Sequence, residues 1–252
     1  MDKKKSSLLG LLFCLFFVLP GCKKFIKEGS LDQAGIVLTF DDDRLDNWVK
    51  NLPLLDSMGV KATFYISNYC SFSTVQKNQL ALLQSHGHEI AYHTLHHYNM
   101  EEYVSKSYLR YEEYVNKEIE AGLKLMNHDG FYPTTFAYPY GAHSKAFDLL
   151  LKKYFKSVRA LNGTENFSKS LVTSENNDVL YGLDIDKSGK RSDVEIIDLL
   201  KAAKNNHCCA ILVAHDIDTN KKLSITRDRL LKIISFVQQN GLRYYTASEV
   251  SN

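Results

Sequence analysis

The chain has 252 residues, of which 44% are hydrophobic and 24% are charged, and its formal net charge is +2. A chain of this length and composition can bury one large core, which excludes a disordered protein and favours a single domain of catalytic size. The charge is nearly balanced and contains no block of clustered lysines and arginines, so we expect no nucleic-acid partner.

Residues 1–21 are predicted to be a lipoprotein signal peptide. Lysines at positions 3–5 precede an apolar run over 8–19 that is too short to span a bilayer comfortably. The run ends in Leu-Pro-Gly-Cys, which resembles a bacterial lipobox whose cysteine, Cys22, is acylated and becomes the mature N-terminus. An ordinary cleaved signal followed by an incidental cysteine is the alternative.

The polar stretch 22–34 is predicted to tether a lipid anchor at Cys22 to a folded domain over residues 35–252. Stable attachment to a membrane requires more than one acyl chain on that cysteine. We therefore expect an exported protein, anchored to a membrane and facing the periplasm or the cell surface.

Within the domain, short β-rich apolar runs alternate with longer segments of helical periodicity. Strands are predicted over residues 36–40, 62–66, 89–92, 134–138, 157–161, 210–214 and 243–246. Helices are predicted over residues 45–58, 75–86, 101–126, 145–154, 194–205 and 225–239. This order predicts an α/β fold, a parallel sheet covered by helices, and seven strands favour a seven-fold or incomplete barrel. Active sites of such barrels collect at the C-terminal ends of the strands.

Three consecutive carboxylates, Asp41, Asp42 and Asp43, follow the first predicted strand. They repel one another unless a cation or solvent compensates their charge. Neighbouring residues at a strand end point in different directions, so one carboxylate can bind a metal while the next faces a water. Taken alone, such a run is usually a solvated helix N-cap, where Asp is favoured.

A histidine-rich loop follows the third predicted strand, with His93 and His97 four residues apart. This spacing brings the two imidazoles together if the loop makes one helical turn. With one carboxylate they would form a two-histidine, one-carboxylate set that leaves metal positions open for water and substrate. An exposed loop rich in histidine is the alternative, and His96 is expected to point away from the pair.

Two further strand ends carry residues of interest. Pro139 and Gly141 fix a tight turn around Tyr140, and the backbone N–H groups of such a turn suit an oxyanion hole. His215 ends an apolar run, and a histidine there serves as a general acid when Asp216 or another carboxylate orients it. Taken singly, the turn around Tyr140 is equally typical of an aromatic-lined loop, and His215 is more often a hydrogen-bonded histidine at a sheet edge.

Together and in this order, the four clusters resemble the polysaccharide deacetylase family, also called the NodB-homology domain or carbohydrate esterase family 4. The similarity runs over nearly all of residues 36–250, and Thr-Phe-Asp-Asp followed by His-Thr-x-x-His is a specific combination. The resemblance implies a distorted (β/α)7 barrel. It also implies a metal-dependent hydrolase that removes N-acetyl groups from a chitin-, peptidoglycan- or poly-N-acetylglucosamine-like glycan.

The resemblance also implies a role for each matched residue. A divalent metal, with zinc expected and Co²⁺, Ni²⁺ or Mn²⁺ as alternatives, is held by Asp42, His93 and His97. Asp41 is the catalytic base that deprotonates the attacking water, and the backbone N–H of Tyr140 helps to stabilise the oxyanion. His215 is the general acid that protonates the departing amine.

The chain departs from the family pattern at its third motif. Many members place an arginine there to hold the catalytic aspartate, whereas this chain has Ala137. We hypothesise that Arg159, on the next predicted strand, reaches the same place and pairs with Asp41. A surface arginine is the alternative.

The family's fourth motif, an Asp-rich segment ending in Trp, has no clear counterpart in this chain. Asp184 and Asp186 are the nearest candidates, and the single tryptophan, Trp48, lies beside the first motif. The wall of the substrate pocket is therefore not assigned from the sequence.

Two other functions remain open at this point. An esterase that removes O-acetyl groups from xylan would use the same ion and the same oxyanion hole. A surface glycan-binding protein that kept the fold and lost the activity is suggested by the missing motif arginine. The expected partners are an acetylated glycan and a membrane, the latter through Cys22.

Overall fold

The computed structural model describes residues 31–107, 111–163, 166–173 and 179–251. The predicted signal peptide, the lipid-anchor cysteine Cys22 and most of the tether lie outside the described residues. Within the described ranges, no helix has both the length and the apolar character needed to cross a membrane.

Seven parallel strands close into a barrel, which confirms the predicted (β/α)7 architecture. In chain order these are β1 (Gly35–Asp42), β2 (Thr63–Ile66), β3 (Glu89–Tyr92), β4 (Thr135–Ala137), β5 (Ser157–Leu161), β7 (Val179–Asp184) and β8 (Cys209–Ala214), with the short β6 (Leu171–Val172) antiparallel to β8. Each barrel strand pairs with the next, and β8 pairs with β1 from Gly35 opposite Cys209 to Phe40 opposite Ala214.

The barrel uses a strand that the sequence pattern did not predict. The predicted strand 243–246 is β11 (Arg243–Tyr245), which pairs only with the first half of β1 because β2 occupies the second half of the same edge. The barrel strand missing from the prediction is β7, which lies between β5 and β8. Its apolar run is interrupted by Gly182, and glycine weakens the sequence signal of a strand. Two short strands, β9 (Asp216–Ile217) and β10 (Ser224–Ile225), form a separate pair.

Helices cover the outside of the barrel. They are α1 (Leu45–Ser57), α2 (Thr74–Ser85), α3 (Met100–Ser107), α4 (Tyr111–Tyr114), α5 (Ala121–His128), α6 (Lys145–Leu151), α7 (Asp193–Asn205) and α8 (Arg227–Gln239). The helix predicted over residues 101–126 is confirmed for the described residues of that range, but it is not α-helical throughout, because a π-helical segment, Val115–Glu120, joins α4 to α5. Ser73 and Ser192 begin α2 and α7 with capping boxes, which satisfy the free N–H groups of the first turn.

The alternation of side chains along the strands decides which residues reach the site. Ile36, Leu38 and Phe40 of β1 pack outward against the helices, so Asp41 faces the barrel interior at its C-terminal mouth. On β5, Val158 and Ala160 also face outward, so the side chain of Arg159 between them points into the barrel. Apolar residues such as Val37, Tyr65, Ala91 and Leu180 line part of the interior.

Candidate metal centre

Three side chains with metal-binding atoms meet at the C-terminal mouth of the barrel. Asp42 ends β1, and His93 and His97 lie on the loop after β3; one ligand atom of each lies within 4.8 Å of the others. Asp42 Oδ1 is 3.3 Å from His97 Nε2 and 3.9 Å from His93 Nε2. Ligands bound tetrahedrally at about 2.1 Å stand roughly 3.4 Å apart, so the three donors fit a divalent ion such as zinc.

The hydrogen bond made by His93 prepares its other nitrogen for a metal. His93 is buried, and its Nδ1 donates to the backbone carbonyl of Ala137 at 2.8 Å. Burial, followed by the neighbouring charge of His97, holds the pKa of His93 well below its ordinary value. The ring is therefore neutral, and its Nε2 lone pair faces Asp42, which is the arrangement found in histidine ligands.

The histidine loop is not the helical turn expected from its spacing. Thr94 has φ 69° and His97 has φ 58°, both in the left-handed region, and these two bends bring the rings of His93 and His97 to a centroid distance of 4.8 Å. Asp42 (φ 84°) and Tyr140 (φ 59°) are also left-handed. Such residues cost on the order of 1–3 kcal/mol each and persist only where the surrounding structure holds them.

The contact hypothesised between Arg159 and Asp41 is present in the structure. Arg159 Nη2 donates to Asp41 Oδ2, and both side chains are buried. Gly182 makes room for the arginine, since a Cβ there would lie 3.2 Å from Arg159 Cδ. Asp41 Oδ1 accepts no hydrogen bond from the described residues. The arginine thus holds one oxygen of Asp41, and its contribution to turnover stays a prediction.

A buried carboxylate orients His215, and it is Asp186 rather than Asp216. His215 Nδ1 lies 2.6 Å from Asp186 Oδ2, and its backbone N–H donates to Asp186 Oδ1 at 3.3 Å. Burial acts to lower the pKa of His215, but the hydrogen bond to Asp186 and the charges of Asp41 and Asp42 outweigh it and raise the pKa to about 9 in the metal-free protein. A protonated imidazolium is the form that a general acid requires.

Two residues of the site were not assigned roles from the sequence. Asp186 was only one of two candidates for the fourth motif, and Trp48 was noted beside the first motif without a role. The indole Nε1 of Trp48 donates to the backbone carbonyl of His215 at 2.8 Å. In the segment Gly-Leu-Asp-Ile-Asp, Asp184 ends β7 and its carboxylate accepts the N–H of Asp186. A strand assignment over 179–184 would have indicated that Asp186 lies at the catalytic end of the barrel.

An open cavity adjoins two of the three potential ligands, Asp42 and His97. Its volume is about 340 Å³, and it is lined by Asp42, Asp43, Arg44, Asn68, His96, His97, Tyr98 and Tyr140. The tyrosine rings are large and accessible, with exposed fractions of 45% for Tyr98 and 66% for Tyr140. The Tyr140 ring packs edge-on against His97 at a centroid distance of 4.8 Å. The turn thus places Tyr140 beside the site, and the oxyanion role of its N–H stays a prediction.

Comparison with protein families assigns the chain to a known class. The sequence profile described as "Polysaccharide deacetylase" matches residues 28–155, just over half of the chain. The chain therefore belongs to the polysaccharide deacetylase family, whose members are hydrolases. The search of curated proteins finds no match.

Solved structures share the fold at low sequence identity. The catalytic domain of peptidoglycan N-acetylglucosamine deacetylase from Eubacterium rectale ATCC 33656 superposes with a TM-score of 0.54 at 19% identity, covering 85% of this chain and 88% of that chain. A family 4 carbohydrate esterase from Streptomyces lividans in complex with acetate superposes with a TM-score of 0.55 at 18% identity, covering 84% of this chain and 91% of that chain. The Xyl-CE4 domain of a multidomain xylanase from the hindgut metagenome of Trinervitermes trinervoides superposes with a TM-score of 0.55 at 19% identity, covering 87% of this chain and 90% of that chain.

Proposed function

We propose that this chain is a metal-dependent hydrolase that removes N-acetyl groups from an amino-sugar polysaccharide or oligosaccharide. The observation that carries the proposal is the convergence of three groups at one barrel mouth: the potential ligands Asp42, His93 and His97, the pair Asp41–Arg159 and the pair His215–Asp186. Membership of the polysaccharide deacetylase family supports the same reaction.

Zinc is the ion proposed for the ligand set, with Co²⁺, Ni²⁺ and Mn²⁺ as alternatives. Two imidazole nitrogens and one carboxylate oxygen suit a borderline ion, and three protein ligands leave positions for water and substrate. A divalent ion bound there supplies Lewis-acid polarisation of the acetyl carbonyl and makes a water more acidic.

The protein's own residues then supply the proton transfers. Asp41, held through Oδ2 by Arg159, accepts the proton of the attacking water on its unbonded Oδ1. The backbone N–H of Tyr140 donates to the oxyanion of the tetrahedral intermediate. His215 uses Nδ1 to bind Asp186, so its Nε2–H is the proton delivered to the departing sugar nitrogen. The products are acetate and a free amino sugar.

The cavity supports a glycan as the substrate. The exposed ring of Tyr140 in its lining offers an aromatic face on which the apolar face of a sugar ring packs. An O-acetyl esterase acting on xylan is the second candidate, favoured by the fold shared with the xylanase-associated domain.

Acetate release from a panel of glycans tests the proposal. The panel contains acetylated chitooligosaccharide, peptidoglycan, poly-N-acetylglucosamine and acetylated xylan, each assayed with and without chelator. We expect release from an N-acetylated glycan, lost on chelation and in Asp41→Asn. Release from xylan alone would instead identify an O-acetyl esterase, and stoichiometric zinc binding without release from any glycan would identify a binding protein.

We also propose that a single domain over residues 35–252 is exported and held at a membrane by a lipid on Cys22, facing the periplasm or the cell surface. The lipobox-like segment supports this location. Membrane fractionation of Cys22→Ser tests it, with Cys14→Ser in the apolar run as the matched control. We expect only the first variant to leave the membrane fraction, and its retention there would contradict the lipid anchor.

A further inference from the structure

A buried glutamate outside the barrel holds the histidine loop. Glu118 lies in the π-helical segment with an exposed fraction of 2%, and both its carboxylate oxygens accept from His96. The backbone N–H of His96 reaches Oε2 at 2.9 Å and its Nδ1 reaches Oε1 at 2.8 Å. The backbone carbonyl of Glu118 also accepts the N–H of Leu95 at 3.2 Å. One residue therefore makes three hydrogen bonds to two consecutive loop residues.

The π-helical segment that presents Glu118 follows from two other residues. In an α-helix the carbonyl of Glu118 would accept the N–H of residue 122. Here the carbonyl of Glu118 accepts the hydroxyl of Tyr92 in addition to the N–H of Leu95. Residue 122 is a glycine, and a Cβ at Gly122 would lie 1.8 Å from the Tyr92 hydroxyl oxygen. The glycine thus lets Tyr92 reach the helix backbone where the regular bonding pattern is interrupted, as is common in π-bulges at functional sites.

The hydrogen bonds of Glu118 fall between the two left-handed residues of the loop. Thr94 precedes Leu95 and His97 follows His96, so the bonded pair is flanked on both sides by backbone that needs external support. We propose that Glu118 is a positioning residue for the metal centre, which fixes the loop so that His97 Nε2 stays next to Asp42 Oδ1. This inference rests on the proposed metal-dependent function.

The same carboxylate also sets one wall of the cavity. The ring of His96 stacks on Tyr98 with a centroid distance of 5.5 Å and an interplanar angle of 26°, and Tyr98 lines the cavity. The hydroxyl of Tyr114, which immediately precedes the π-helical segment, donates to the carbonyl of Tyr98 at 3.0 Å. Loss of Glu118 is therefore expected to disturb substrate binding as well as metal binding.

Zinc affinity, measured by competition with a chromophoric chelator, tests the proposal without relying on activity. We expect Glu118→Ala to bind Zn²⁺ about 10–100-fold more weakly than the wild type, the loss typical when a partner that orients a metal ligand is removed. Glu118→Gln keeps one acceptor oxygen and should lose less, at least threefold. With Co²⁺ as the probe, both variants should show altered visible absorption bands.

Two controls separate positioning from general stability. Glu120→Gln changes a neighbouring exposed glutamate that bonds Tyr154 and should leave zinc affinity unchanged. Leu199→Ala opens a cavity at a buried position of α7, away from the loop, so it should lower the unfolding temperature without changing the zinc affinity of the folded protein. If Glu118 acts through His96, the zinc-binding losses of Glu118→Gln and His96→Ala will not add in the double variant.

Wild-type zinc affinity and cobalt spectra in Glu118→Ala would overturn the inference. If that variant does not fold, Glu118→Gln decides the matter in the same way, since wild-type affinity in it would also overturn the inference. Failure of the wild type itself to bind zinc stoichiometrically would contradict the proposed function instead, so the two failures are distinguishable.

Discussion

Replacement of Arg159 is expected to damage both stability and turnover. Arg159 has an exposed fraction of 0% and Asp41 one of 3%, so the ion pair is shielded from water. In Arg159→Met the side chain keeps much of its volume, but Asp41 loses the cation that compensates and orients it. The chain offers no second arginine at this place, because position 137 of the third motif is alanine.

The expected magnitudes follow from the burial of the pair. Removing one partner of a buried ion pair costs about 3–5 kcal/mol of unfolding free energy. A correctly placed general base contributes about 10²–10⁴ in rate, so we expect kcat to fall by at least about 10²-fold. Arg159→Lys keeps the charge without the planar donor geometry and should fall between the wild type and Arg159→Met.

Acetate release and urea unfolding on the same zinc-loaded preparations measure both effects. Arg227→Met, at an exposed arginine at the start of α8, is the matched control and should leave both quantities unchanged. Turnover of Arg159→Ala or Arg159→Met within about threefold of the wild type, a change of only roughly 0.7 kcal/mol in the barrier, would refute the role given to Arg159.

Three further predictions concern the groups around this pair. Because the pKa of His215 in the metal-free protein is raised from 6.5 to about 9, its interaction with Asp186 stabilises the fold fully below about pH 6.5 and is lost as the pH rises through about 9. Asp186→Asn should therefore lower the pKa of His215 in an NMR titration of the metal-free protein, and an unchanged pKa would contradict the pairing. In urea unfolding, the loss of unfolding free energy of Asp186→Asn relative to the wild type should shrink as the pH rises from about 6.5 to about 9. His97→Ala should weaken zinc binding by at least about 100-fold in calorimetry, since it removes one of three ligands, and wild-type affinity would exclude this residue as a ligand. Gly182→Ala places a Cβ 2.1 Å from Val213 Cγ2, so thermal unfolding should report a loss of about 1–3 kcal/mol, together with lower turnover as Arg159 shifts; unchanged stability would show that the barrel relaxes freely there.

The sequence predicted most barrel strands because each is a short apolar run that ends in polar residues. β3 and β5 have the predicted bounds. β1 was predicted over residues 36–40 and is longer by one residue at its start and two at its end, Gly35–Asp42. β7 was missed because Gly182 and partly exposed positions obscure its pattern. β11 was assigned correctly as a strand, but its place at the edge of β1 depends on which part of that edge β2 leaves free.

The π-helical segment within the helix predicted over residues 101–126 has a tertiary cause. Helical periodicity reports which face is buried, and it cannot report that Tyr92 and Gly122 meet and interrupt the regular bonding. The left-handed residues Thr94 and His97 are likewise invisible in a spacing of four, which suggests a helical turn that the loop does not make.

The sequence by itself determined the identity and order of the candidate ligands, because Asp42, His93 and His97 follow strands whose ends must meet in a parallel barrel. It also suggested Arg159 as the partner of Asp41, because the third motif has Ala137 where many family members have an arginine and Arg159 lies on the next predicted strand. Only the tertiary structure decided that Asp186 binds His215, because that contact joins loops 29 residues apart. Non-local contacts of this kind depend on how the whole barrel closes, and no local pattern carries that information.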